Sequence, residues 1–292
     1  MRECIGKLIL QMRPQLRHEL RTGIYTLGLA SVVAGILDVV WSGFDPAHQP
    51  VQAWGDNIPG VAALAWIAGL LLIAGGLAIL WQKTARAGAV ILAAPYLLFT
   101  LFWLPRFSTA PRVLGYRPSV YLGVFGGPCG QLIVVAAAML VYTNAAPPSA
   151  APRLHTAALI ARWMFGISAL VFGINHLTGV REIASEVPAW IPPGGAFWAV
   201  FTGIAFIAAG LALLSGILDT LAARVLALML FLFSAFYLVP AIFAHPHSHA
   251  TWGGNAYNLA AAGSALLLAG SLALEREMDR VNWPKERWAG TT

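Results

Sequence analysis

Charge is the scarcest resource in this 292-residue chain. Only 10% of residues are Asp, Glu, Lys or Arg, against about a quarter in an ordinary soluble domain. Cysteine is almost absent: Cys4 and Cys129 are far apart in sequence and form no C-x-x-C pair, which leaves a dithiol redox centre or a thiolate metal site almost without support. No phosphate-binding loop, dinucleotide fingerprint or nucleophile motif is present, so nothing points to nucleotide chemistry. The N-terminal 21 residues carry charge throughout and lack the short apolar core and small-residue cleavage site of a secretory signal. The first hydrophobic segment is therefore expected to act as the anchor.

What the chain has instead is hydrophobicity. It is 59% apolar with a mean hydropathy of +0.72. A helix needs about 20 apolar residues to cross a bilayer. Eight stretches meet that length, at 22–41, 59–81, 85–105, 120–142, 157–177, 197–217, 220–243 and 255–274. Breaks rich in Pro, Gly or charge separate them, such as "SGFDPAHQP" and "TNAAPPSAAPRLHT". The pattern predicts an all-α polytopic membrane protein with eight transmembrane helices.

The chain is basic, with 18 Lys and Arg against 12 Asp and Glu. Attraction to an anionic cytoplasmic leaflet accounts for this without nucleic acid. With the N-terminus inside, fourteen of the 18 basic residues fall in inside segments, which predicts that both termini are cytoplasmic. Arg86, Arg162 and Arg224 are then expected to snorkel at the inner boundary. The N-terminal tail carries Ile5, Leu8, Ile9 and Met12 at helical spacing, suited to the inner membrane surface. The C-terminal tail, 276–292, reads as a solvated end with two interfacial Trp residues.

The sequence also matches itself. Gly28, Gly35 and Asp38 align with Gly166, Gly173 and His176 at an offset of 138. Pro59, Gly60, Gly69 and Gly76 align with Pro193, Gly194, Gly203 and Gly210 at 134. Arg86 aligns with Arg224, Pro105 with Pro240, and Gly126, Gly127 and Gln131 with Gly253, Gly254 and Asn258 at 127. The ordered set predicts two tandem four-helix bundles, 22–143 and 157–275, joined by a Pro/Ala-rich linker at 144–156. Because four is even, both bundles run in one direction, a parallel repeat. The paired glycines are expected to let helices pack closely.

Polar residues gather at one end. Asp38 and His176 close the first and fifth spans, Gln131, Asn255 and Asn258 open the fourth and eighth, and Tyr237 lies near the end of the seventh. Ionisable groups at membrane depth are costly and mark function. A shallow site open to the outer face is the expectation. Trp41, Trp54, Trp190 and Trp198 at that end suit an aromatic belt, and Trp190 also suits a ligand wall. His245, His247 and His249 in "HPHSH" have a spacing that could chelate a transition ion. No carboxylate lies near them in sequence, so a solvated loop with weak or no metal binding is expected, and no metal site is assigned. Only His176 lies inside a span, which argues against a bis-histidine haem.

Residues 162–270 resemble the DoxX-like family of membrane proteins. The resemblance rests on "GISALVFGINHL", "VPAWIPPGGAFWAVFTGIAFIAAGLALL", "AARVLALML", "YLVPAIF" and "NAYNLAAAGSALLLAG". Residues 24–142 look like a more divergent copy. The resemblance implies a helical-bundle protein of the bacterial plasma membrane, associated with redox or stress-related complexes and at most a subunit of a quinone-linked oxidoreductase. A quinone would suit an apolar, aromatic cleft with a polar head. The candidate ligand residues are His176, Tyr237, Asn258 and Trp190, with the 188–195 segment as rim and His176 donating to a ligand carbonyl. Where the second copy has His176 the first has Asp38, expected to pair with a basic or amide group. Two other classes stay open: a small-solute transporter or channel, and a non-catalytic scaffold that depends on partner subunits.

Overall fold

The computed structural model describes residues 14–45, 48, 59–146 and 151–289, with side chains beyond Met278 and at 151–153 left aside. The expected N-terminal surface helix, Trp54, the middle of the linker and the C-terminal Trp side chains lie outside the described residues. Among the described residues there are eight helices long and apolar enough to cross a membrane. In chain order the elements are α1 (Pro14–Trp41), α2 (Val61–Ala78), α3 (Ala85–Phe102), the short α4 (Arg106–Leu114), α5 (Pro118–Asn144), α6 (Ala151–Thr178), the short α7 (Val180–Glu186), α8 (Gly195–Ser215) and α9 (Asp219–Phe233). A π-helical turn, Ser234–Leu238, leads from α9 into α10 (Val239–Ala244), and α11 (His249–Ala289) closes the chain. A bilayer core offers no partner for backbone N–H and C=O groups, so apolar runs of this length are confined to helix.

The spans of the two halves pack in the same order. α1 packs on α2, α2 on α3 and α3 on α5; α6 packs on α8, α8 on α9 and α9 on α11. The halves do not stand apart as two separate bundles. The most extensive pairing in the molecule joins α1 to α11, its counterpart joins α5 to α6, and α5 also touches α11. The eight spans therefore form one closed ring. α5 and α11 are its most enclosed members, 72% and 67% buried over their most apolar windows, whereas α2, α3, α8 and the α9–α10 span are 28–39% buried. The outward faces of those outer spans carry Leu, Ile, Val, Phe and Trp, as a lipid-facing surface requires.

Burial recurs at constant spacing. In α2 and just beyond it, Ala65, Ala68, Gly69, Leu72, Gly75, Gly76 and Ile79 are buried; 134 residues later so are Ala199, Thr202, Gly203, Phe206, Ala209, Gly210 and Leu213. In α3 and α9 the same offset pairs Gly88, Ala89, Leu92 and Pro95 with Ala222, Ala223, Leu226 and Met229. This register pairs Arg86 with Thr220 rather than with Arg224. Glycine sets the close crossings, where a side chain would meet backbone. A Cβ on Gly28 would stand 2.7 Å from the Gly76 carbonyl, and one on Gly173 2.8 Å from that of Gly203.

The end opposite His176 is tied by charge. Arg162 Nη1 lies 3.2 Å from Asp219 Oδ2 at the start of α9, and Arg276 of α11 binds the other oxygen of the same carboxylate. Arg224 pairs with Glu19 of α1 at 2.9 Å, and Arg86 donates to the Tyr142 hydroxyl at 2.6 Å while lying over its ring. The three boundary arginines expected to snorkel each hold a partner at that end. The groove beside Arg224, lined by Pro14, Gln15, His18 and Glu19, is therefore flanked by an already paired cation.

Candidate functional site

α6 presents Phe165, Ala169, Phe172 and His176 at spacings of four, three and four, which is one helix face. That face lines a cavity of about 180 Å³. Phe206 of α8, Leu226, Leu230 and Phe233 of α9, and Tyr257, Asn258, Ala261 and Ala265 of α11 form the other walls, and Ile133 of α5 completes them from the first half. From His176 down to Phe165 the helix rises roughly 16 Å. The cavity thus reaches well into the apolar layer, deeper than the shallow site read from the sequence.

His176 and Asn258, proposed together from sequence, meet in this cavity. The His176 ring lies 5.1 Å from Phe206 and runs nearly parallel to Phe233 at 6.5 Å. Its Nδ1 is 2.9 Å from the Phe172 carbonyl, one turn back. A carbonyl only accepts, so Nδ1 carries the hydrogen and donates it. Asn258 is held as firmly. Its Nδ2 donates to Leu230 O at 2.6 Å and to Ser234 Oγ at 2.8 Å, which also fixes which end of the amide is nitrogen.

The other two sequence candidates are not in the lining. On an unbroken helix Tyr237 would follow Leu226, Leu230 and Phe233 onto the cavity face. The π turn inserts extra backbone, with Val239 N–H bonded to Ser234 O, and turns that face away. Tyr237 instead lies beside the Glu186 carboxyl at the end of α7. Partial burial pushes the Glu186 carboxyl above the ordinary carboxylate range, and the Tyr237 hydroxyl offsets this only in part. Trp190 is 65% exposed and meets Phe236 edge-on at 6.0 Å, so it stands outside the cavity. Within the expected rim, Trp198 Nε1 donates to Pro192 O at 3.0 Å.

In the first half the corresponding region is filled. The same offsets set Asp38 against His176, Tyr96 against Leu230, Phe99 against Phe233 and Gln131 against Asn258. Tyr96 and Phe99 are fully buried, and the His48 ring lies flat on Phe99 at 4.3 Å and edge-on to Tyr96 at 5.7 Å. Phe44 meets Phe99 edge-on at 6.1 Å. Asp38, 1% exposed, accepts the Asp45 N–H at 3.1 Å and lies 3.5 Å from His249 Nε2, whose ring stacks on Trp41 at 5.0 Å. The "HPHSH" histidines are therefore split: His245 and His247 are exposed, while His249 opens α11 and faces a carboxylate supplied by α1. Among the described residues no three His, Cys, Asp or Glu side chains are grouped to hold a metal ion.

Sequence reading missed the four phenylalanines and Tyr257. The signal for two of them was available, because Phe165 and Phe172 share the helical face of His176. Phe206, Phe233 and Tyr257 come from other spans, and only the packing brings them there.

Residues 157–245 match the family model DoxX, in accord with the resemblance of this region to that family. No curated protein and no solved structure matches the chain. The matched segment runs from α6 through α10 and carries His176, Phe172, Phe206 and Phe233. Asn258, Tyr257 and Ile133 lie outside it, so the cavity is completed by parts of the chain beyond the matched region.

Proposed function

We propose that this protein is a membrane-embedded binding subunit, and that the cavity of its second half holds the ring of a membrane-soluble compound of the quinone class. The observation that carries this reading is the shared cavity itself. Four phenylalanines form an apolar, aromatic wall, and two anchored polar side chains, His176 and Asn258, stand within it. Ligand sites have this composition in general: mostly apolar, with a few placed polar groups. A cavity of about 150 Å³ is enough to hold benzene, so the observed volume suits one substituted six-membered ring.

The cavity's deep end, at Phe165 and Ala265, is apolar, and the opposite end of the molecule is closed by paired charges. That arrangement supports a binding site more than a path for a charged solute, which needs polar groups along its length. With the N-terminus in the cytoplasm, as loop charge favours, the His176 end faces outward from a bacterial plasma membrane. The ring then exchanges from the outer half of the bilayer. A place in a redox or stress-related membrane complex is what the resemblance to the DoxX-like family implies, and the match of residues 157–245 accords with that resemblance.

The test is gentle purification from native membranes, organic extraction and mass spectrometry, in parallel for the wild type and for Ala261→Leu, which fills the cavity. The expected result is a ring-bearing lipid that co-purifies with the wild type and is lost from the variant. Equal retention by both, or none by either, would reject the reading.

A further inference from the structure

His176 and Asn258 have already used their donors. His176 donates Nδ1–H to Phe172 O, so in the neutral ring Nε2 carries a lone pair and no hydrogen. Asn258 donates both amide hydrogens, one to Leu230 O and one to Ser234 Oγ. Its remaining polar atom is Oδ1, which only accepts. The two acceptors lie one turn apart, Leu230 O in the last turn of α9 and Ser234 Oγ at the start of the π turn. This reverses the sequence expectation that His176 donates to a carbonyl.

We infer that the cavity selects a ring bearing hydroxyl donors, a phenol or hydroquinone, over the corresponding carbonyl compound. The inference rests on the ring-binding reading above and names the chemical state of the ring. A carbonyl oxygen placed against His176 Nε2 or Asn258 Oδ1 sets lone pair against lone pair, and leaves both acceptors unpaired in an apolar enclosure. A hydroxyl in the same place donates to them. Sites built to bond a hydroxyl discriminate strongly against analogues that lack it, because the buried protein groups are then stranded. Tyr257, the third polar side chain of the lining, does not reverse the preference. Its hydroxyl end packs against Gly130 of α5, where a Cβ would collide with it. The ligand exchanges only a proton or a hydrogen bond with these side chains, and no oxidant is required for binding.

The experiment compares tetramethylhydroquinone with tetramethylbenzoquinone, which share one carbon skeleton. Each is titrated calorimetrically under nitrogen into the full chain in lipid nanodiscs, with empty nanodiscs as the blank. The hydroquinone is expected to bind about tenfold tighter or better. His176→Phe keeps the aromatic wall, removes an acceptor and should erase most of that preference without loss of the folded protein. Equal or tighter binding of the benzoquinone overturns the inference while leaving the ring-binding reading intact. A preference that survives unchanged in His176→Phe overturns it as well. Failure of both compounds to bind the wild type rejects the ring-binding reading and the inference with it.

Discussion

The two halves of this protein bury the same positions and use them differently. At the end where α1 finishes, Asp38 accepts the Asp45 amide and faces His249, and the space beside it is packed by Phe44, His48, Tyr96 and Phe99. At the end where α6 finishes, His176 looks into an open, apolar cavity. The connection that follows each helix makes the difference. Beyond α1, Phe44 and His48 are buried in the bundle. After α6 it forms a second short helix, α7, which packs on α8 and on Tyr237 of the π turn and leaves the interior free. One scaffold thus supports a filled, polar region that ties α1 to α11, and an unfilled one able to take a ligand. A carboxylate belongs in the first because it is paired; an imidazole with an unshared lone pair belongs in the second.

The largest effect should come from exchanging the register-equivalent polar residues. Asp38→Leu strands the buried Asp45 N–H and removes the carboxylate that His249 faces, and should cost about 3 kcal/mol of stability. His176→Phe removes no buried partner beyond one backbone carbonyl one turn away and should cost less than about 1 kcal/mol. Denaturant unfolding in detergent measures both. Equal losses would mean that His176 is as structural as Asp38.

Next in size is His48→Ala, which empties the filled side. Loss of a buried, stacked ring should cost about 2 kcal/mol, and the vacated space should give the first half a ring-binding capacity of its own. Titration of the variant with 4-methylphenol should then show two sites where the wild type shows one. A single site in both would show that the packing around Phe99 collapses instead.

Ala261→Leu works from the other direction and makes the second half resemble the first. Stability should stay within about 1 kcal/mol, because the added carbons enter existing space, while ring binding is lost. Retained binding would place the ligand elsewhere.

Much of this was legible in the sequence. Length and hydropathy located every span, because the bilayer leaves a 20-residue apolar run no structure but helix. Gly28, Gly35, Gly166 and Gly173 announced close crossings for the same reason. His176 and Asn258 were found because polar residues are rare in such segments. What could not be read was which faces meet. Tyr237 has the spacing of a lining residue, and the π turn that removes it is a local backbone feature that side-chain periodicity does not reveal. The partner of His249 is 211 residues away in sequence at Asp38, and only the ring closure of α1 on α11 brings them together.

The smallest effect concerns the outer connection of the second half. The Glu186 carboxyl is raised by partial burial, so its neutral form is the one the folded protein favours. Its contribution is then fully present below the ordinary carboxylate value, about 4.3, and is lost as pH rises through the higher folded value. Glu186→Gln should flatten that pH dependence and leave stability at neutral pH unchanged or slightly higher. Thermal unfolding across pH 4–7 reads it. An unaltered pH profile would show that Glu186 does not secure α7 to the π turn.

The central claim is that the unfilled half, and not the filled one, receives a ring. Crystals of the full chain soaked with 4-bromophenol and measured at the bromine absorption edge would locate that ring directly. The account predicts one anomalous peak, enclosed by Phe172, Phe206 and Phe233, with the hydroxyl toward His176 or Asn258. A peak beside Phe99 and Tyr96, or none inside the helical ring, would contradict it.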